Sequence, residues 1–143
     1  RSHDGAYANA AGLQFGSTLA TAAAVIVLLH LGAPVPPQIA PWLLTQHHPA
    51  GGFLAMPQAP APDLLSTAVA LHALGSLGTP FDQIRQPCLN FINSLRSNDG
   101  GFHAHCADQY PDVEYTYYAL LALGHLAGNE TGDANFQVRN NCE

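Results

Sequence analysis

The stretch Pro111-Asp112-Val113-Glu114-Tyr115-Thr116-Tyr117-Tyr118 sets two carboxylates beside three phenols, and His103, His105 and Cys106 stand just before it. A carboxylate pair can act as acid and base in glycoside hydrolysis when the two groups flank one bond. Asp112 and Glu114 are two positions apart, and such positions on a helix point away from each other. Hydrolysis of that kind is therefore disfavoured. Zinc accepts carboxylate oxygen, so Asp112 and Glu114 are candidate metal ligands, but a site without nitrogen or sulfur donors is weak. Helix capping by Asp112 and a solvated first-turn acid at Glu114 are the plainer expectations. His103, His105 and Cys106 offer further metal donors, against the plainer reading of solvated loop histidines. Tyr115, Tyr117 and Tyr118 add flat apolar surface with polar tips, suited to an apolar ligand, an interface or core packing. His30 and His72 lie inside apolar segments, where hydrogen-bonded core histidines are the expectation, and His47-His48 read as loop residues.

These residues sit in a repeat. Asp4-Gly5-Ala6-Tyr7, Ala50-Gly51-Gly52-Phe53 and Asp99-Gly100-Gly101-Phe102 open three copies, their aromatics 46 and 49 residues apart. A threonine follows each aromatic fourteen positions later, at Thr21, Thr67 and Thr116, and an apolar run continues in register from each. The cap-forming residues Ser17, Asp63 and Asp112 precede these runs, which predicts buried inner helices over 18–32, 64–78 and 113–127. Because the runs are apolar on nearly every face, burial all round is expected, with Leu74 and Leu123 fully inside. An amphipathic outer helix precedes each glycine loop. It is clearest at Phe81, Ile84, Cys88, Phe91, Ile92 and Leu95, and shorter over 37–46 with Ile39, Trp42 and Leu43 inward. Pro87 is expected to kink or restart the longer one.

The repeat also acts as a control. Asp112 matches Asp63 and Ser17, as a cap would. Glu114 replaces Leu65 and Leu19, and the tyrosines replace Ser66, Ala68 and Val69, so these four break the pattern and need another reason. Hairpins of this kind stack side by side and curve. The chain reads as one all-α domain over 1–143, with repeats starting near 1, 46 and 95, forming half of a six-hairpin ring. Arg1-Ser2-His3-Asp4 matches Arg96-Ser97-Asn98-Asp99, and the text from Gln137 to Cys142 matches that from Gln83 to Cys88. The expected completion is either missing repeats of a longer chain or a homodimer in which the helix from Ser17 meets the partner's helix from Asp112.

Composition narrows the partners. Charged residues are 10% of the chain, the four cations are all arginine, and the net charge is −6. Without a basic cluster, nucleic acid is excluded as a partner. The longest apolar run, 19–31, is broken by Thr21 and His30 and falls short of the roughly 20 residues that span a bilayer. With no secretory signal in view and no disulfide framework among Cys88, Cys106 and Cys142, reduced thiols in a cytoplasmic compartment are expected.

From Gly100-Gly101-Phe102 through Tyr118 the sequence resembles the prenyltransferase and squalene-cyclase repeat, closest to the β subunits of protein prenyltransferases. Where those carry Pro-Asp-Val-Cys-Tyr-Ser-Trp-Trp, this chain has Pro111-Asp112-Val113-Glu114-Tyr115-Thr116-Tyr117-Tyr118. The resemblance implies an α/α toroid whose aromatic-lined centre holds an isoprenoid, with Tyr115, Tyr117 and Tyr118 in the wall and His103 or His105 near a diphosphate. It further implies a zinc at the Asp112 position, although Glu114 stands where the family has its cysteine ligand. No tight structural zinc is expected on that account. Three functions follow as expectations: a prenyltransferase-like protein that binds or transfers an isoprenoid, a non-catalytic helical repeat module, or a terpene-cyclase fragment. The Asp-x-Asp-Asp string of the cyclases and the Cys-Gly-Glu-Gln of related thioester domains do not occur in this sequence.

Overall fold

The computed structural model describes residues 1–98 and 100–127. Asp99 and the stretch from Gln137 to Cys142 that echoes an outer helix lie outside the described residues. Five helices follow in order: α1 (Thr18–His30), α2 (Ile39–Thr45), α3 (Leu64–Ser76), α4 (Asp82–Ser94) and α5 (Val113–Ala127). The inner helices α1, α3 and α5 begin where the caps predict. Ser17 Oγ accepts from Ala20 N at 3.1 Å, Asp63 Oδ1 from Ser66 N at 2.7 Å and Asp112 Oδ1 from Tyr115 N at 2.8 Å. Each satisfies one of the amides that a helix start leaves without a partner. At the far end, Gly32 and Gly78 take positive φ, and Ala33 N and Thr79 N reach back to Leu28 O and Leu74 O. These are glycine-terminated Schellman ends.

The repeated threonine clamps each glycine-aromatic loop onto its helix. Thr67 Oγ1 accepts from Phe53 N at 2.9 Å and donates to Asp63 O at 2.7 Å. Thr116 does the same with Phe102 N and Asp112 O, while Thr21 takes Tyr7 N and returns its hydroxyl to Tyr7 O. The aromatic is fixed on its other side as well, since Phe53 bridges His47 and Asp63, and Phe102 bridges Arg96 and Asp112. The second loop lies flat on α4. A Cβ at Gly51 would run into the Pro87 carbonyl oxygen, and one at Gly52 would sit 2.7 Å from Phe91 Cδ1. Helix α4 runs through Pro87 as one element, without the restart that was one of the two expected outcomes. Its inward stripe is as predicted, with Phe81, Cys88, Ile92 and Leu95 buried and Ile84 and Phe91 half-buried.

Hairpins are also joined to their successors by hydrogen bonds. Thr18 N donates to Ala55 O at 2.9 Å, and its hydroxyl donates to Leu54 O. One repeat later, Leu64 N donates to Ala104 O at 3.0 Å.

Burial all round holds for none of the inner helices, and α3 comes nearest, with both flanks covered and one stripe left accessible. Helix α1, packed on α3 and α2, buries one stripe, Thr18, Thr21, Ala22 and Val25; α5, packed on α3 and α4, buries Ala119, Ala122 and Leu126. Helix α3 packs against α1, α5 and α2 and buries the equivalents of the α1 stripe, Leu64, Thr67, Ala68 and Leu71, together with Ala70 and Ala73, the equivalents of Ala119 and Ala122. The outer flanks stay open. Val27 and Leu31 of α1 and Val113, Tyr117 and Leu120 of α5 are exposed, at positions whose α3 counterparts are wholly or largely covered. Leu74 is fully buried as expected, whereas Leu123 is half-buried because α5 has a helical neighbour on one flank only among the described residues.

Candidate functional site

Helix α3 leaves one stripe accessible: Leu65, Val69, His72 and Ser76. Their steps of 4, 3 and 4 keep them on one face. In the same repeat register stand Leu19, Ala23, Ile26 and His30 of α1 and Glu114, Tyr118, Leu121 and His125 of α5. Three helices thus contribute matching rows to one wall. Its middle is apolar, one end holds Glu114, and the other end holds histidines.

The three tyrosines occupy different faces, where the sequence suggested one aromatic surface. Tyr118 is half-buried on the wall, and Tyr117 is 61% exposed on the open flank beside Val113 and Leu120. Tyr115 is half-buried at the position where α3 has the buried Ser66. Ring contacts still join them, Tyr117 to Tyr118 edge-on at 5.4 Å and Tyr115 to Tyr118 at 6.5 Å. Burial pushes the Tyr115 phenol up, and the nearby charges of Glu114, Asp112, Asp63 and Asp108 push the same way.

The loop histidines are held by backbone rather than by the tyrosines. The amide of His103 donates to Leu95 O at 2.9 Å, and its Nδ1 is buried with no hydrogen-bond partner among the described residues. The exposed His105 accepts at Nδ1 from Ala107 N, which places its proton on Nε2. The neighbouring Asp108 accepts from Ala104 N, and this bond is the leading cause that holds its carboxyl below the usual range. Among the described residues no ring contact links either histidine to the tyrosines. Cys106 is an exposed free thiol beside a cavity of about 330 Å³ that it shares with Ala50, Asn90 and Phe91.

The donor set does not fit a zinc ion. Asp112 commits one oxygen to the cap, Glu114 is exposed beside it, and among the described residues no three His, Cys, Asp or Glu side chains gather as a metal cage.

Sequence reasoning missed the far end of the wall. His72 Nδ1 and His125 Nε2 lie 2.8 Å apart, bridging α3 and α5, with ring centroids 5.0 Å apart. Burial, then the neighbouring His72, pulls His125 below the usual histidine range. Gly75 makes room for this pair, since a Cβ there would fall 2.6 Å from His125 Nδ1. The signal was available in register: His125 falls where the repeat has His30 and Ser76, and His72 stands one turn earlier on the same stripe.

No helix among the described residues is long and apolar enough to cross a membrane. No curated protein matches this chain. The family model of the prenyltransferase alpha-alpha toroid domain matches residues 19–141. That span takes in all five helices but for the first residue of α1, the repeated glycine loops from the second onward and the wall they build, so the chain belongs to the prenyltransferase alpha-alpha toroid domain family.

Proposed function

We propose that this chain binds the hydrocarbon tail of an isoprenoid along the wall formed by α1, α3 and α5, as a prenyltransferase-like toroid protein. The observation that carries this reading is the single accessible stripe of α3, Leu65 and Val69, flanked by Ile26, Tyr118 and Leu121. Such a surface is apolar and rigid and has a phenol at its rim. Electrostatics orient the ligand. Asp63, Asp108, Asp112 and Glu114 all act on Tyr115 at the loop end of the wall, and they repel a diphosphate there more than the His105 ring attracts it. The tail is thus the part recognised, with any anionic head directed toward the histidine end. Likeness of the 111–118 segment to the protein prenyltransferase β subunits supports the same ligand class. The free thiols of Cys88 and Cys106 support a reducing, cytoplasmic setting.

Titrating the protein with farnesol and with farnesyl diphosphate, read by tyrosine fluorescence and calorimetry, tests this. Both ligands should bind, and Val69→Asp or Tyr118→Asp should abolish uptake because the ligand would desolvate the new charge. Binding that survives both substitutions in folded protein would overturn the reading.

A second reading has its own observation. The exposed stripe Val113, Tyr117 and Leu120 is the register equivalent of the stripe α1 buries, and Val27 and Leu31 are equivalents of the stripe α5 buries. These two flanks are complementary by continuity with the α1–α3 and α3–α5 contacts, so a second copy, or further repeats, would dock there as a module of assembly. Sedimentation at micromolar concentration separates the cases: a dimer supports docking of a second copy, and a monomer of chain mass refutes it.

A further inference from the structure

We propose that the contact between His72 and His125 is an acid-sensitive latch joining α3 to α5, closed while the two rings share one hydrogen and released when both carry charge. The bond, Nδ1 to Nε2 at 2.8 Å, needs one nitrogen to donate and the other to keep its lone pair. Either tautomer leaves one outer nitrogen free, His72 Nε2 or His125 Nδ1. A first proton taken there leaves the bond in place and makes it charge-assisted. A second proton sets N–H against N–H and cation against cation, so the rings must part. The pair therefore titrates as a unit, in two steps.

The helices packed around the pair offer little to offset the second charge. His72 is the sole ionisable residue of α3, α2 has none, and α1 presents His30 across the cavity of about 280 Å³ that it lines with His72. On α5, Glu114 stands about three turns before His125, roughly 16 Å along the axis. The caps Asp63 and Asp112 mark that same far end, and Tyr115, Tyr117 and Tyr118 add no charge in acid. Helix α4 brings Asp82, Arg85 and Cys88, whose thiol burial pushes up, away from the acid range. Among the described residues the charge that acts on His125 is that of His72. The macrodipole at the end of α5 favours a cation there. Burial and His72 outweigh it, because the His125 ring is held below the usual histidine range.

An unfolded chain takes up a proton at His125 that the closed latch resists. Stability from the latch is therefore whole above about pH 6.5, the ordinary histidine value, and is lost as pH falls from there toward the lowered one. Gly75 lets the ring lie directly on α3, where a Cβ would fall 2.6 Å from His125 Nδ1, so repulsion acts on the helix contact itself. Tyr118 and Leu121 stand about two turns and about one turn before His125 on the same face of α5. That part of the wall loosens with the latch.

The test follows imidazole resonances and amide exchange of the whole chain from about pH 8 to about pH 4.5. The His72 and His125 rings should titrate together in two steps, the second below the ordinary histidine range. Across that step, protection of the Ala122 and Leu126 amides, corrected for the intrinsic effect of pH, should fall by up to about tenfold per pH unit. His125→Gln should abolish the fall, because its amide takes no charge. His47, also held low by burial and then by His48, is the control for acid sensitivity arising elsewhere, and His47→Gln should leave the fall in place. Independent single-step titration of the two rings would overturn the proposal, as would an equal loss of protection in His125→Gln. Should that variant fail to fold, the wild-type resonances decide. No ligand is added, so the outcome is separate from the isoprenoid titration.

Discussion

Helices α3 and α5 share a register, a threonine clamp and an aspartate cap, yet one is enclosed and the other has an open flank. The runs Thr67-Ala68-Val69-Ala70-Leu71 and Thr116-Tyr117-Tyr118-Ala119-Leu120 start from the same position in the repeat. Leu71 is fully buried, while its counterpart Leu120 is 61% exposed. Hydrophobicity was sufficient to place both helices inside the hairpin stack. Enclosure depended on having neighbours on both flanks, which α3 has in α1 and α5.

The sharpest break of this comparison is Leu74→Ala against Leu120→Ala. Loss of the buried Leu74 side chain should cost about 2–5 kcal/mol in urea denaturation, and loss of Leu120 no more than about 0.5 kcal/mol. Equal costs would mean that the flank of α5 is covered in solution. Next come the clamps. Thr67→Val leaves the buried Phe53 amide unsatisfied and should cost about 1–3 kcal/mol. The same change at Thr116, whose bonds are nearer solvent, should cost less than half as much, because water replaces the lost partner. Smallest is the pair of caps. Asp63→Ala removes bonds from both Ser66 N and Ser66 Oγ, whereas Asp112→Ala removes the single bond from Tyr115 N. The former should cost about 1–2 kcal/mol and the latter about 0.5–1 kcal/mol, read as faster amide exchange in the first turn of each helix.

Fold was legible wherever local chemistry repeated. Caps at Ser17, Asp63 and Asp112, glycines before the aromatics and the threonine at a fixed distance all specify nearby backbone, and the helices start where these residues place them. What could not be read was anything set by contact across hairpins. Leu123 was expected inside because its text matches Leu74, and the restart considered at Pro87 does not occur, since α4 continues through it. The candidate site split the same way. Tyr115, Tyr117 and Tyr118 announced themselves by breaking the repeat, but their separation onto three faces follows from helical pitch combined with neighbours. His72 and His125, 53 residues apart, meet only because α3 and α5 pack in register.

The bond from Thr18 N to Ala55 O, repeated from Leu64 N to Ala104 O, makes α1 and α3 each unfinished by itself. Its first amide is answered by a carbonyl two residues past the aromatic of the next loop, never of the previous one. Between these hairpins the dependence runs one way along the chain: the second loop completes α1, and its own helix, α3, is completed by the third loop. Stability then accumulates as nearest-neighbour couplings. A substitution in the second loop should be felt first at the start of α1, so exchange at the Thr18 amide reports whether the second hairpin has docked.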